Sequence, residues 1–299
     1  MKRLIIMMFR SGSFYLLLVL SCFSTMSLAA TALEIMQRVD RLQREVADQT
    51  LSLSRLSSCD FAVKNKQVAC TEEPRVKVIE SLSRQLGEAK KDSQSISIIL
   101  EPARERGIGM LTYSYDDSSK DTESWLYLSA LGKVKRMASG SGEDQEPVSL
   151  FGSEFSTEDM ENGKTDEYEY SIVQEGEYQN TQVWVIEAKP KPVRLRKTHY
   201  SKLILWIDKQ RFIPLKIQSY DRHQNLYKRI LFQNYEQLSN HWISRDMTVY
   251  NMKINRLSRM ETEKIALQVP VVDEFLTQRS LTDFAFREQN LAALRPLLE

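Results

Sequence analysis

The chain has 299 residues, with 41 Lys and Arg against 40 Asp and Glu, so its formal net charge is +1. That balance excludes a global field that would draw the protein to nucleic acid or to an anionic membrane. At 42% hydrophobic residues a chain of this length buries a sizeable core unaided, and three histidines leave little material for His-based metal or acid–base chemistry.

The first 30 residues stand apart. Lys2, Arg3 and Arg10 supply positive charge, an apolar run from Phe14 to Leu20 continues weakly to Leu28, and small residues follow at Ser27, Ala29 and Ala30. This is the layout of a secretory signal peptide, its apolar part too short for a span of about 20 residues. Ser27-Leu28-Ala29 is the better small-x-small match for cleavage. Residues 1–30 are therefore expected to be removed on export, leaving 31–299 as a single domain. Val19-Leu20-Ser21-Cys22 partly matches a lipobox, which would make Cys22 a lipidated N-terminus. Leu20 is unusual in that slot and the chain from Phe23 is not a polar tether, which favours the unlipidated form.

From Ala32 to about Ala47, Leu33, Ile35, Met36, Val39, Leu42 and Val46 recur at helical spacing with charges opposite. That spacing predicts an amphipathic helix. The period then drops to two. Thr50 to Leu56 alternates small polar and apolar residues, and Arg75 to Glu80 alternates again, so both read as half-buried strands. Between them lie Cys59 and Cys70, an even pair in an exported chain, which reads as a disulfide. Closing that loop is worth roughly 3 kcal/mol by chain entropy. The two runs and their bracketed connection predict a hairpin.

The rhythm continues at Ser95–Leu100, Gly109–Tyr115, Ser124–Leu128, Lys133–Met137, Glu167–Val173, Thr181–Ala188 and Ser201–Ile207. It runs on through Pro214–Tyr220, Lys228–Tyr235, Trp242–Tyr250 and Glu261–Val269, with Asp-, Asn-, Ser- and Gly-rich turns between. Helical stretches between these runs are nearly absent, which argues against βαβ units and for one large, curled antiparallel sheet. Ser139 to Glu146 reads as a loop, Ser153 to Lys164 as a short acidic helix or turn, and Lys189 to Lys197 as a basic, proline-stiffened connection. Helical spacing returns between Leu281 and Leu298.

No catalytic constellation stands out. The sequence has no Gly-x-Ser-x-Gly elbow, no His-Glu-x-x-His and no phosphate-cradling glycine loop. His199, His223 and His241 are far apart and read as surface residues. Glu154, Glu158, Asp159 and Glu161 cluster locally without EF-hand spacing and read as a solvated face. No catalytic residue, metal ligand or cofactor is expected. More informative are Val183–Ile186 and Leu203–Ile207, strands apolar on both faces that must be covered on both sides. Terminal helices would cover one side. The other would be the interior of the curl, filled by side chains or holding a ligand.

Several ordered blocks resemble the outer-membrane lipoprotein-sorting proteins of LolA-like type. They are Leu111–Asp117, Trp125–Arg136, Phe151–Met160, Tyr200–Lys209, Pro214-Leu215 and Phe275–Leu281, which together cover essentially the whole mature chain. The resemblance implies a mainly β fold with flanking helices: an incomplete antiparallel β-barrel of LolA/LolB kind, covered by α-helices, with an apolar cavity. It implies a periplasmic, non-enzymatic carrier of lipid or lipoprotein acyl chains, with an inner-membrane exporter of resistance-nodulation-division type as a candidate partner. The lipid-binding candidates are Leu126, Leu128, Trp184, Ile186, Leu203, Leu205, Ile207, Leu215 and Ile217, strand register deciding which alternate set faces inward. A reading of another class is an envelope adaptor with a filled barrel, docking on such an exporter through segments 143–161 and 189–197. The chain departs from the family pattern in its Cys59–Cys70 bracket, in lacking a Gly-rich hairpin around 59–66, and in its basic Pro-rich segment.

Overall fold

The computed structural model describes residues 30–65, 67–137, 148–161 and 164–298. The signal-peptide reading, Cys22 and the loop expected at Ser139–Glu146 lie outside the described residues.

The predicted first helix forms as α1 (Ala32–Ala47). Thr31 caps it reciprocally: its hydroxyl accepts from the Glu34 N–H while the Glu34 carboxylate accepts from the Thr31 N–H at 2.8 Å. Ile35, Met36 and Val39 are buried, so the apolar stripe is the face that packs.

Fourteen strands follow. They are β1 (Thr50–Lys64), β2 (Gln67–Cys70), β3 (Arg75–Leu86), β4 (Asp92–Glu101), β5 (Gly109–Ser114), β6 (Glu123–Leu128) and β7 (Lys133–Met137). The second run is β8 (Tyr168–Tyr178), β9 (Thr181–Pro190), β10 (Lys202–Asp208), β11 (Pro214–Tyr220), β12 (Leu226–Leu238), β13 (His241–Asn251) and β14 (Arg256–Ala266). Three further α-helices follow among the described residues, α2 (Pro192–Leu195), α3 (Gln278–Thr282) and α4 (Phe284–Leu294), with short 3₁₀ turns between elements.

All pairs are antiparallel, and the order is β7-β6-β5-β4-β3-β1-β14-β13-β12-β11-β10-β9-β8. The join of β1 to β14 brings the two halves of the chain into one sheet. The sheet does not close, since β7 and β8 are its two edges. The strand missing from the sequence reading is β2. Its four residues are too few to show a period, yet it folds back on β1 with Phe61 opposite Cys70. The Cys59–Cys70 disulfide bridges this hairpin with Cα atoms 5.7 Å apart.

Alternation gives the sheet two apolar faces. On one, Leu51, Leu82, Ile96, Ile98 and Leu111 pack under α3 and α4. Gly109 permits that approach: a Cβ there would stand 2.6 Å from Ile98 Cδ1 and 2.8 Å from Leu281 Cδ2. On the other, Leu56, Ile79, Ile99 and Met110 meet Ile230 and Val249, and Ile217 joins this cluster to a neighbouring one on β9 and β10. Here the structure corrects an expectation. The terminal helices do not both cover the face away from the interior, because α1 packs on the same inner face as Ile217, through Ile186, Leu205 and Ile207.

The segment 148–161 also lies on the inner face. A bridge between Ser149 and Ser156 folds it into a compact loop, and Val148, Phe151 and the fully buried Phe155 pack against Leu56, Ile79 and Met110. Part of the inner face is thus covered by the protein's own strap. Among the described residues no helix is long and apolar enough to cross a membrane.

Candidate functional site: a cavity between α1 and the sheet

Beyond the strap, the inner face is not filled. A cavity of about 450 Å³ lies between α1 and strands β8 to β13, within the range of roughly 300–1,000 Å³ usual for ligand pockets. Met36, Val39 and Leu42 of α1 form one wall, and Leu203, Leu205 and Ile217 form the facing one. These positions follow from two periods: 3.6 on the helix and two on the strands bring one stripe from each to the same space. Arg38 stacks over the Phe212 ring at 3.8 Å and pins α1 beside the β10–β11 turn.

Of the nine sequence candidates, Leu203, Leu205 and Ile217 line the cavity. Ile186 and Ile207 are fully buried in the cluster beneath it, and Trp184 packs at that cluster's edge, its ring 5.4 Å from Phe212. Leu126 belongs instead to the cluster under the strap, and Leu128 is half-buried outside the lining. Leu215 packs on the opposite face with Val183 and Val185. The cause is a bulge: pairing slips between Trp206 and Ile207, which sets Pro214 opposite Ile207 and turns Leu215 over. The lining residues on α1 show in the sequence as a helical stripe, but they face the interior rather than the outer side expected of the terminal helices.

At the cavity's polar end the structure overturns the reading of Glu154, Glu158, Asp159 and Glu161 as a solvated face. Arg194, carried by α2 from the basic proline strip, contacts Glu158 at 3.4 Å, Glu161 at 2.9 Å and Glu167 at 3.6 Å. Thr198 donates to Glu158, and the His199 ring lies 3.3 Å from the same carboxylate. Asp159 pairs with Lys228 at 2.6 Å and accepts from Tyr200 and Ser156. Glu154 accepts from Asn251 at 2.7 Å and lies 3.3 Å from Arg256. These carboxylates anchor the strap to the sheet.

Burial alone would lower the Arg194 pKa, but Tyr168, Glu161 and Glu158 outweigh it and hold the group above its ordinary value. Tyr168 is pushed up to about 12 by burial, and Tyr170 higher still for the same cause. Both phenols lining the cavity are therefore neutral at physiological pH. Uncharged walls beside paired charges make a space that favours hydrocarbon over water. Among the described residues no cluster of His, Cys, Asp and Glu is arranged to hold a metal ion.

Residues 91–283 match a family model described as "uncharacterized protein". The chain belongs to that family. No curated protein matches the sequence. Among solved structures, a DUF1329 family protein from Desulfovibrio piger is 22% identical with a TM-score of 0.71, over 84% of this chain and 97% of that one. A putative outer membrane lipoprotein-sorting protein domain from Vibrio parahaemolyticus is 23% identical with a TM-score of 0.70, over 84% and 98%. A LolA superfamily protein from Nitrosomonas europaea is 18% identical with a TM-score of 0.60, over 83% and 98%. At such identities the likeness speaks to fold alone, and the fold it shares is the open, antiparallel β-sheet described above.

Proposed function

We propose that this chain is a periplasmic, non-enzymatic carrier of acyl chains belonging to a lipid or a lipid-anchored protein. The observation that carries the reading is the cavity of about 450 Å³ walled by α1 and the inner sheet face. Each methylene moved there from water stabilises the complex by about 0.8 kcal/mol, with no hydrogen-bond specificity required. The fold shared with lipoprotein-sorting domains supports the same use. The signal-peptide pattern and the Cys59–Cys70 disulfide support an oxidising compartment outside the inner membrane.

The wall formed by α1 suits exchange. It is a single helix with a narrow apolar stripe, held at its far end by Arg44 on the Ala89 carbonyl and Lys90 on Asp48, both exposed. Lifting it would open the cavity without disturbing the strand ladders. The exporter of resistance-nodulation-division type is the membrane partner that the resemblance suggests for handover. Of the segments the adaptor reading would use, Glu158 and Glu161 are engaged by Arg194 within the protein, while Lys189 and Arg196 stay exposed.

Native mass spectrometry of protein purified from cell envelopes tests the proposal. Co-purified lipid that is lost in Leu203→Trp, where indole fills a half-buried lining position, is the expected result. A wild-type protein that carries no lipid and takes up no added fatty acid would sink it.

A further inference from the structure

A second cleft, of about 640 Å³, opens where α3 and α4 meet the turn that follows β4. It shares no lining residue with the cavity under α1. Ile98, Leu100 and Leu281 give it an apolar lining, and Phe284 stands at its rim 65% exposed.

Arg287 of α4 lies in its wall with a side chain only 5% exposed. Nη1 donates to the carbonyls of Ser280 at 3.0 Å and Leu281 at 3.3 Å, tying α4 to the end of α3. The guanidinium carbon lies 5.3 Å from the centre of the Phe284 ring, but its Nε is poorly matched. Nε is buried without a hydrogen-bond partner, and the carboxylate in range, Glu288, stands 3.7 Å from it. Glu288 is instead engaged by Arg295 at 2.8 Å, which also holds Glu80 with two bonds of 2.8 Å. Burial depresses the Arg287 pKa below the usual arginine value, and Glu288 and Tyr127 only partly oppose it. Nη2 lies near Gly107, where a Cβ would stand 4.0 Å from it and 3.6 Å from Ser129 Cβ, so the glycine keeps this side of the guanidinium uncrowded. Arg106 and Arg295 are the other cations of the lining, Arg295 being engaged by Glu80 and Glu288, and Glu101 and Glu288 are its acidic members.

A buried cation short of partners is costly, and an anion that completes its hydrogen bonds removes the cost. Apolar surface beside the charge favours a ligand that also carries hydrocarbon. We propose that this cleft binds a small anionic amphiphile, its carboxylate or phosphate head on Arg287 and its chain against Ile98, Leu100 and Phe284. The site is independent of cargo in the cavity under α1.

Isothermal titration of the oxidised mature chain, in a Leu203→Trp background that blocks the other cavity, tests this with octanoate, octyl phosphate, 1-octanol and inorganic phosphate. Octanoate or octyl phosphate should bind, and whichever binds tighter identifies the head. Octanol and inorganic phosphate should be at least about tenfold weaker. Arg287→Met should lower affinity by about tenfold or more, and so should Ala103→Trp, which fills the cleft from an exposed rim position and leaves Arg287 in place. Binding unchanged by Ala103→Trp, equal binding of octanol or of inorganic phosphate, or no binding by either amphiphile would overturn the proposal.

Discussion

Asp159 and Lys228 sit 2.6 Å apart with side chains 2% and 3% exposed, joining the strap to β12. Removing one partner of such a pair leaves a buried charge without compensation. Lys228→Met is expected to cost about 3–5 kcal/mol in urea unfolding. Burial works to raise the Asp159 pKa, but the Lys228 charge and hydrogen bonds from Lys228, Tyr200 and Ser156 prevail and hold it below 3.8. A depressed folded pKa means the contribution to stability is complete above the unfolded value and is lost as pH falls through the folded one. The unfolding-midpoint gap between wild type and Asp159→Asn should therefore be full at neutral pH and shrink as pH is lowered below about 4. None of this was legible in the sequence. The local run of carboxylates is plain, but Lys228 is 69 residues from Asp159 and Arg194 is 36 from Glu158, so only the fold reveals the pairing.

Among the elements, the strands were legible because β1 and β3 through β14 each carry at least one alternating apolar face. Which face points inward was not, since a single bulge at Trp206 and Ile207 sends Leu215 to the other side. Nor was the strap, whose Phe155 reads as any loop aromatic until the sheet curls around it. Phe155→Ala should destabilise the protein by about 3–5 kcal/mol through the void it leaves, measured by chemical denaturation. At the other end of the scale, Thr31→Ala removes the α1 cap and should cost only about 1 kcal/mol. Because α1 is the cavity wall, that same change should quicken acyl-chain release in stopped-flow exchange more than it lowers the unfolding midpoint.

At the level of the whole molecule, an open sheet carries a divided inner face, part covered by the strap and part left as a cavity. Edges at β7 and β8 leave the barrel incomplete, and residues 148–161 between them pack as the strap over part of the inner face. In the remainder, α1 packs on the sheet through Ile35, Met36 and Val39 against Ile186, Leu205 and Ile207, and the cavity opens beside that contact, lined by Met36, Val39, Leu203 and Ile217. The sequence pattern left filled and hollow interiors equally open, and the structure holds both side by side.

Photolabelling of the delipidated protein with a diazirine-bearing fatty acid, followed by peptide mapping, tests the central claim most directly. Labels concentrated on α1 around Met36 to Leu42 and on β10 and β11 at Leu203, Leu205 and Ile217, and lost in Leu203→Trp, are the predicted result. Labels confined to the opposite sheet face around Val183 and Leu215, or labelling indifferent to Leu203→Trp, would contradict it.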